Sequence, residues 1–217
     1  MKNKVKKTTL ANRDRLKIIA FDCDGVMFNT KMANLAYYNQ ILARFKKPEM
    51  TPEQFEYVHM HTVETALSNL FPDEKSRAAA EAFRQSLDYV QFLKYIKIEP
   101  HLKPLLKKLR PEFKTAVVTN RTDTMPYILD RHGLCDLFDL VLTALNVPRP
   151  KPHPDPLLKL LNHFGATPEQ VLYIGDSTLD EQAAKASGIS LAAYDNLSLE
   201  ARYHIKSLEE IETIVFS

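Results

Sequence analysis

The chain has 217 residues, 45% of them hydrophobic and 26% charged, with a formal net charge of +2. That length suits one domain, or one domain with a smaller insert, and two cysteines, Cys23 and Cys135, exclude a disulfide framework. No run is apolar and long enough to cross a membrane as a helix, and no dense aromatic-basic stripe offers a nucleic-acid surface, so neither partner is expected.

The first fifteen residues carry Lys2, Lys4, Lys6, Lys7, Arg13 and Arg15, and read as a basic, flexible tail over 1–15 without a secretory h-region. Together with the scarce cysteines, this predicts a reducing, cytoplasmic location. The apolar run that follows Lys17 predicts a buried strand, which ends in Asp22-Cys23-Asp24-Gly25. Carboxylates at that place do not serve packing, because an unpaired buried charge is costly. In an open α/β sheet the carboxyl ends of the strands are where ligands bind. Paired acids there suit a hard cation, or a nucleophile beside a general acid. Cys23, between them, is expected to face the core as a small apolar filler.

From Lys31 to about Ile96 strand-like runs vanish. Leu35, Tyr38, Ile41, Leu42 and Phe45 recur at helical spacing, Thr51-Pro52-Glu53-Gln54 reads as a helix start, and Pro72-Asp73-Glu74 opens another helix. The chain is expected to leave a core near Asn29–Lys31 and to return near Ile98–Pro100. Beyond Pro100, helix and strand alternate. Helices are predicted over 102–109, 125–131, 156–164 and 179–187, and strands over 114–118, 140–143, 171–174 and 190–193, which indicates a parallel sheet with helices on both faces. Leu208 to Phe216 reads as a closing helix with a short extended end.

Three segments after the insert carry polar groups at strand ends or in a constrained turn. Thr119-Asn120 ends one strand, Lys151 stands between Pro150 and Pro152, and Gly175-Asp176-Ser177-Thr178-Leu179-Asp180 ends another. Gly25 and Gly175 lie in the two acidic loops, where backbone must approach a ligand closely or take positive φ. Taken singly, each segment has a plainer reading: Asp176 and Asp180 suit a helix cap and a first-turn acid, and Lys151 suits a surface loop.

Taken in order, the acid pair, hydroxyl, lysine and second acid pair resemble the four motifs of the haloacid dehalogenase-type hydrolases, over about Lys17 to Gly188. The chain is similar to the helical-cap (subfamily I) phosphatases of that superfamily, and within it to the phosphoglycolate phosphatase-like enzymes. The resemblance implies an α/β fold: a Rossmann-like parallel sheet core of residues 16–30 and 98–217, and an inserted all-helical cap domain of residues 31–97. It further implies Mg²⁺-dependent hydrolysis of a small phosphorylated metabolite through an aspartyl-phosphate, by a monomer or homodimer. Asp22 is then the nucleophile, Asp24 the general acid and base, and Thr119, Asn120 and Lys151 the phosphate-binding set. The metal is held by Asp22, the main-chain carbonyl of Asp24, and Asp176, with Asp180 in support.

Asp24 argues for phosphate esters, since the dehalogenases and phosphonate-cleaving members lack an acid there. A sugar phosphomutase of the β-phosphoglucomutase type is the alternative; it carries a cap histidine ten residues after the second aspartate, where this chain has Asn34. A catalytically silent phosphate-binding protein is a further one. Asn29 stands where an acid is common. In the insert His59 and His61 are candidate substrate contacts, as are Arg121 and Lys31, whereas His153 is expected to pack on its loop.

Overall fold

The structure, a computed structural model, describes residues 16–216; the basic segment 1–15 lies outside them. Strand β1 (Ile18–Phe21) is buried along its whole length. Its residues alternate between two cores, as the period of a strand requires: Ile18 and Ala20 pack with Leu157, Leu160 and Ala183, and Ile19 and Phe21 with Leu105, Leu106 and Ile128. Cys23 is fully buried in the second of these cores.

After β1 the chain forms β2 (Phe28–Asn29), α1 (Lys31–Arg44), α2 (Pro52–Met60), α3 (Val63–Leu70), α4 (Glu74–Ser86), a 3₁₀ segment (Tyr89–Tyr95) and β3 (Lys97–Ile98). Strands β2 and β3 pair antiparallel, Phe28 with Ile98 and Asn29 with Lys97, at the point where the chain enters and leaves this helical stretch. Helix α2 starts as its sequence dictates. Thr51 accepts from the Gln54 N–H, and the Gln54 side chain accepts from the Thr51 N–H, a reciprocal cap that satisfies two otherwise orphaned donors.

The remainder alternates: α5 (Leu102–Leu109), β4 (Lys114–Val118), α6 (Met125–Arg131), β5 (Leu140–Leu142), α7 (Asp155–Phe164), β6 (Val171–Gly175), α8 (Thr178–Ser187), β7 (Ser190–Tyr194), β8 (Tyr203–Ile205) and α9 (Glu210–Phe216). The sheet is six-stranded and parallel in the order β5-β4-β1-β6-β7-β8. Helix α5 shows why it packs on the sheet: Leu102, Leu105, Leu106 and Leu109 form one fully buried stripe. Burial of each contributes at most about 1.5–3 kcal/mol.

The register sets the site. Phe21 pairs with Val117 of β4 and with Ile174 of β6, so three strands end nearly level at their carboxyl edge. Asp22, Thr119 and Asp176 therefore emerge side by side. Three details differ from the sequence reading. The final helix runs through Phe216 without an extended end among the described residues, β8 joins the sheet where no strand is expected, and the short β2–β3 ribbon is likewise unexpected.

Candidate active site

Asp22 continues β1 by one residue, its N–H donating to the Ile174 carbonyl at 2.8 Å. Its carboxylate accepts from Lys151 Nζ at 2.7 Å. The same ammonium donates to Asp180 Oδ1 at 2.6 Å and to the Tyr173 hydroxyl at 3.0 Å. All four side chains are buried. Lys151 reaches this position because Asn120 clamps its main chain. The Asn120 amide donates to the Lys151 carbonyl at 2.9 Å, and the Lys151 N–H donates to Asn120 Oδ1 at 3.0 Å. The Asn120 side chain is thus engaged in positioning Lys151, while its main chain stays beside Thr119 at the strand end. Thr119 lies beside it, its hydroxyl accepting from the Arg121 N–H at 3.1 Å.

Asp180 is fully buried and built into the loop. Beyond Lys151 it accepts from the Ser177 hydroxyl at 2.6 Å and from the Asp176 and Ser177 N–H groups at 3.2 and 3.1 Å. The Tyr173 hydroxyl lies 2.6 Å from Asp180 Oδ1 and 3.1 Å from the Val118 carbonyl. Asp176 closes the group: carboxylate oxygens of Asp22, Asp176 and Asp180 lie within 4.8 Å of one another. Two glycines make this approach possible. A Cβ on Gly25, which has φ of 86°, would stand 1.9 Å from Asp176 Oδ2, and one on Gly175 would stand 2.4 Å from Asp180 Cβ.

Burial pushes the Asp22 carboxyl up to about 7 despite the opposing Lys151. Burial, with Asp180 and Asp22 adding repulsion, pushes Asp176 up to about 8. Asp180 moves the other way: burial pushes it up, but Lys151 together with the hydrogen bonds from Ser177 and Tyr173 holds it below the usual carboxylate range. One ammonium is therefore shared by two of three carboxylates and balances the charge of one. Fully ionised, the group carries two negative charges more than Lys151 balances. An all-oxygen donor set with that excess fits a hard divalent cation.

Asp24 belongs to a second network. It accepts from Arg121 Nη2 at 2.7 Å and from the Thr30 hydroxyl. Burial acts to raise its pKa, but the Arg121 guanidinium prevails and holds the carboxyl below its ordinary value. Arg121 Nη1 donates to Tyr89 at 2.8 Å and to Thr124 at 3.1 Å, and Nη2 reaches Asn34 at 3.3 Å. The Asn34 amide in turn donates to His59 Nδ1 at 2.9 Å. Burial lowers the pKa of His59 and favours the neutral imidazole.

Asp22, Asp24, Thr119, Asn120, Lys151 and Asp176 all line one cavity of about 70 Å³, which the helical stretch closes with Asn34, Tyr37, Tyr38, His59 and His61. Lys31 is exposed and lines a neighbouring groove instead. His153 is exposed and does not line the cavity. Tyr173, Thr30, Tyr89 and Ser177 were not singled out in the sequence. Tyr173 looked like a core strand residue, and nothing in the spacing of Thr30 or Tyr89 signals a partner across the fold.

The profile of the haloacid dehalogenase-like hydrolases matches residues 19–194, and the chain belongs to that family. A phosphoglycolate phosphatase of Haemophilus influenzae is 30% identical over 222 residues, covering 93% of this chain and 94% of the relative. Among solved structures, a haloacid dehalogenase-superfamily hydrolase of subfamily IA from Geobacter sulfurreducens superposes with a TM-score of 0.76 at 33% identity, covering 93% of this chain and 97% of the other. The β-phosphoglucomutase of Clostridium difficile shares the fold, with a TM-score of 0.80 at 17% identity over 93% and 97% of the two chains.

Proposed function

We propose that this haloacid dehalogenase-like hydrolase is a Mg²⁺-dependent phosphatase that acts on a small, phosphoglycolate-like phosphomonoester through an aspartyl-phosphate on Asp22. The observation that carries the reading is the buried Lys151 ammonium 2.7 Å from Asp22, at the level strand ends where Asp176 and Thr119 also stand. The named relative, a phosphoglycolate phosphatase, supports the substrate class.

In this scheme a carboxylate oxygen of Asp22 attacks phosphorus as the bond to the ester oxygen breaks. The Arg121 contact keeps Asp24 ionised in the free site, so the step requires that Asp24 leave Arg121 and take up a proton as the substrate binds. Asp24 then gives that proton to the departing alkoxide, and the alcohol leaves. Water then attacks the phosphorus of the acyl phosphate and loses a proton to Asp24; inorganic phosphate departs and the Asp22 carboxylate returns. Lys151 and Thr119 hold the phosphoryl oxygens and offset their charge. Asp22, Asp176 and the Asp24 carbonyl would hold the Mg²⁺, which supplies charge neutralisation of the phosphoryl group. The helices of residues 31–97 act as the cap that excludes water. For the mutase alternative the shared fold is the support. Against it, the resemblance places the mutases' cap histidine at Asn34, which is engaged with Arg121 and His59.

Phosphate release from small phosphate esters, with Mg²⁺ and with chelator, tests the proposal. Metal-dependent release that disappears in Asp22→Asn is expected. Equal release in the variant would remove the covalent route, and interconversion of β-glucose 1-phosphate without net release would favour the mutase.

A further inference from the structure

Beside the Asp22–Lys151 centre the cavity holds a second buried cation, Arg121, which no step above uses. It is 8% exposed, and its hydrogen bonds are uneven. Nη1 has two partners, Tyr89 and Thr124, while Nη2 has one oxygen of Asp24 and a longer contact to Asn34. Nε is buried and has no partner among the described residues. Nε and Nη2 form the edge of a guanidinium that grips a carboxylate with two parallel hydrogen bonds. Arg84 uses that edge fully on Glu81, Nε to Oε2 at 2.8 Å and Nη2 to Oε1 at 2.7 Å. In Arg121 the same edge is half used, and an unpaired buried N–H is costly.

The position of this edge indicates what would complete it. It abuts Asp24, the group that in the preceding scheme faces the oxygen of the departing alcohol, so it lies on the alcohol side of the reacting bond. Tyr89 and Thr124 anchor Nη1, so the guanidinium holds its place when a new anion replaces the single Asp24 contact. The cavity's other cation, Lys151, is already engaged by Asp22 and Asp180, and Asp24 and Asp176 also line the cavity, so Arg121 is the group placed to offset a second anion on a substrate. We infer that Arg121 binds a carboxylate on the alcohol half of the substrate through its Nε–Nη2 edge, and so selects short phosphorylated hydroxy acids over neutral esters of the same size. The inference rests on the phosphomonoester reading and adds to it the residue that reads the acid.

The test compares phosphoglycolate with ethyl phosphate, which lacks the carboxylate, on wild type, Arg121→Met and Arg121→Lys. The ratio of kcat/KM for the two esters is expected to fall about a hundredfold in Arg121→Met, the size of a lost charge-assisted hydrogen-bond pair, with partial return in Arg121→Lys. An Arg121 that merely ties Asp24 to Tyr89 and Asn34 would slow both esters together, and an unchanged ratio overturns the inference whatever happens to the rates. Calorimetric binding of both esters to Asp22→Asn, with and without Arg121→Met, separates this claim from the catalytic one. Absence of phosphate release by wild type would refute the phosphatase reading, while the binding pair would still decide on Arg121. Tighter phosphoglycolate binding that the second substitution abolishes supports the inference, and equal affinities overturn it.

Discussion

Replacing Lys151 by methionine keeps the bulk of the side chain and removes the charge that two buried carboxylates share. In the native arrangement Nζ stands 2.7 Å from Asp22 and 2.6 Å from Asp180. Breaking a buried ion pair by removing one partner costs about 3–5 kcal/mol. For a chain of this size that corresponds to a fall in Tm of roughly 6–20 °C. The loss also has a definite pH dependence. Lys151 holds Asp180 low, so in wild type this pair's stabilisation is present above the unfolded carboxylate value near 4 and fades as the pH falls through the depressed native value. Without the lysine, burial is opposed only by neutral hydrogen-bond donors from Ser177, Tyr173 and the loop main chain, and the native pKa of Asp180 rises above the unfolded one. The variant then loses stability as the pH increases, and the gap in Tm between wild type and Lys151→Met should widen from pH 4.5 to pH 8. Thermal unfolding followed by circular dichroism across that range checks it. Adding Asp180→Asn to the methionine variant should recover part of the loss, since it removes the stranded charge. A gap independent of pH, or a variant as stable as wild type at pH 8, would refute the shared-charge account. Turnover should fall by about a thousandfold or more, in line with loss of a preorganised cation at a phosphoryl group.

Other outcomes follow from the same geometry. Asp22 and Asp176 hold protons up to about 7 and about 8, so Mg²⁺ binding must displace them. Calorimetry in buffers of different ionisation enthalpy should count close to about two protons released at pH 6 and well under about one at pH 9; no release at pH 6 would contradict the assignment. In metal-free protein these two raised groups contribute stability that is full below about 4 and lost as the pH climbs through 7 and 8, so Tm should decline over that window and the gain in Tm from Mg²⁺ should grow. Gly25→Ala places a methyl 1.9 Å from Asp176 Oδ2 at a φ of 86°, and should cost about 1–3 kcal/mol and abolish the Mg²⁺-induced rise in Tm.

The legible part of the fold lies where local pattern and global role coincide. The buried strand before Asp22, the strand ending at Thr119 and the strand ending at Asp176 each announce themselves by an apolar run that stops at a polar group. The parallel register then brings those groups together without further information. Elements that depend on a partner were not legible. The β2–β3 ribbon is two residues on each side and exists only because its halves meet across the helical stretch, and β8 is a three-residue strand completed by β7. The same holds in the site. Asn120 reads as a strand-end amide, and its clamp on the Lys151 main chain is a contact 31 residues away. Tyr173 has the pattern of a core residue, and its hydroxyl has a role only once Lys151 and Asp180 converge on it. Arg121 was visible as a candidate, but its half-used edge emerges only from the positions of Asp24, Tyr89 and Thr124.

The claim on which the rest depends is that Asp22 takes the phosphoryl group. Wild-type protein mixed with phosphoglycolate and Mg²⁺, quenched in acid within the first turnover and digested for mass spectrometry, should carry the mass of one phosphoryl group on the peptide containing Asp22. The adduct should be absent without ester and absent in Asp22→Asn. Steady phosphate release with an unmodified Asp22 peptide at every quench time, or the adduct on another residue, would contradict the account.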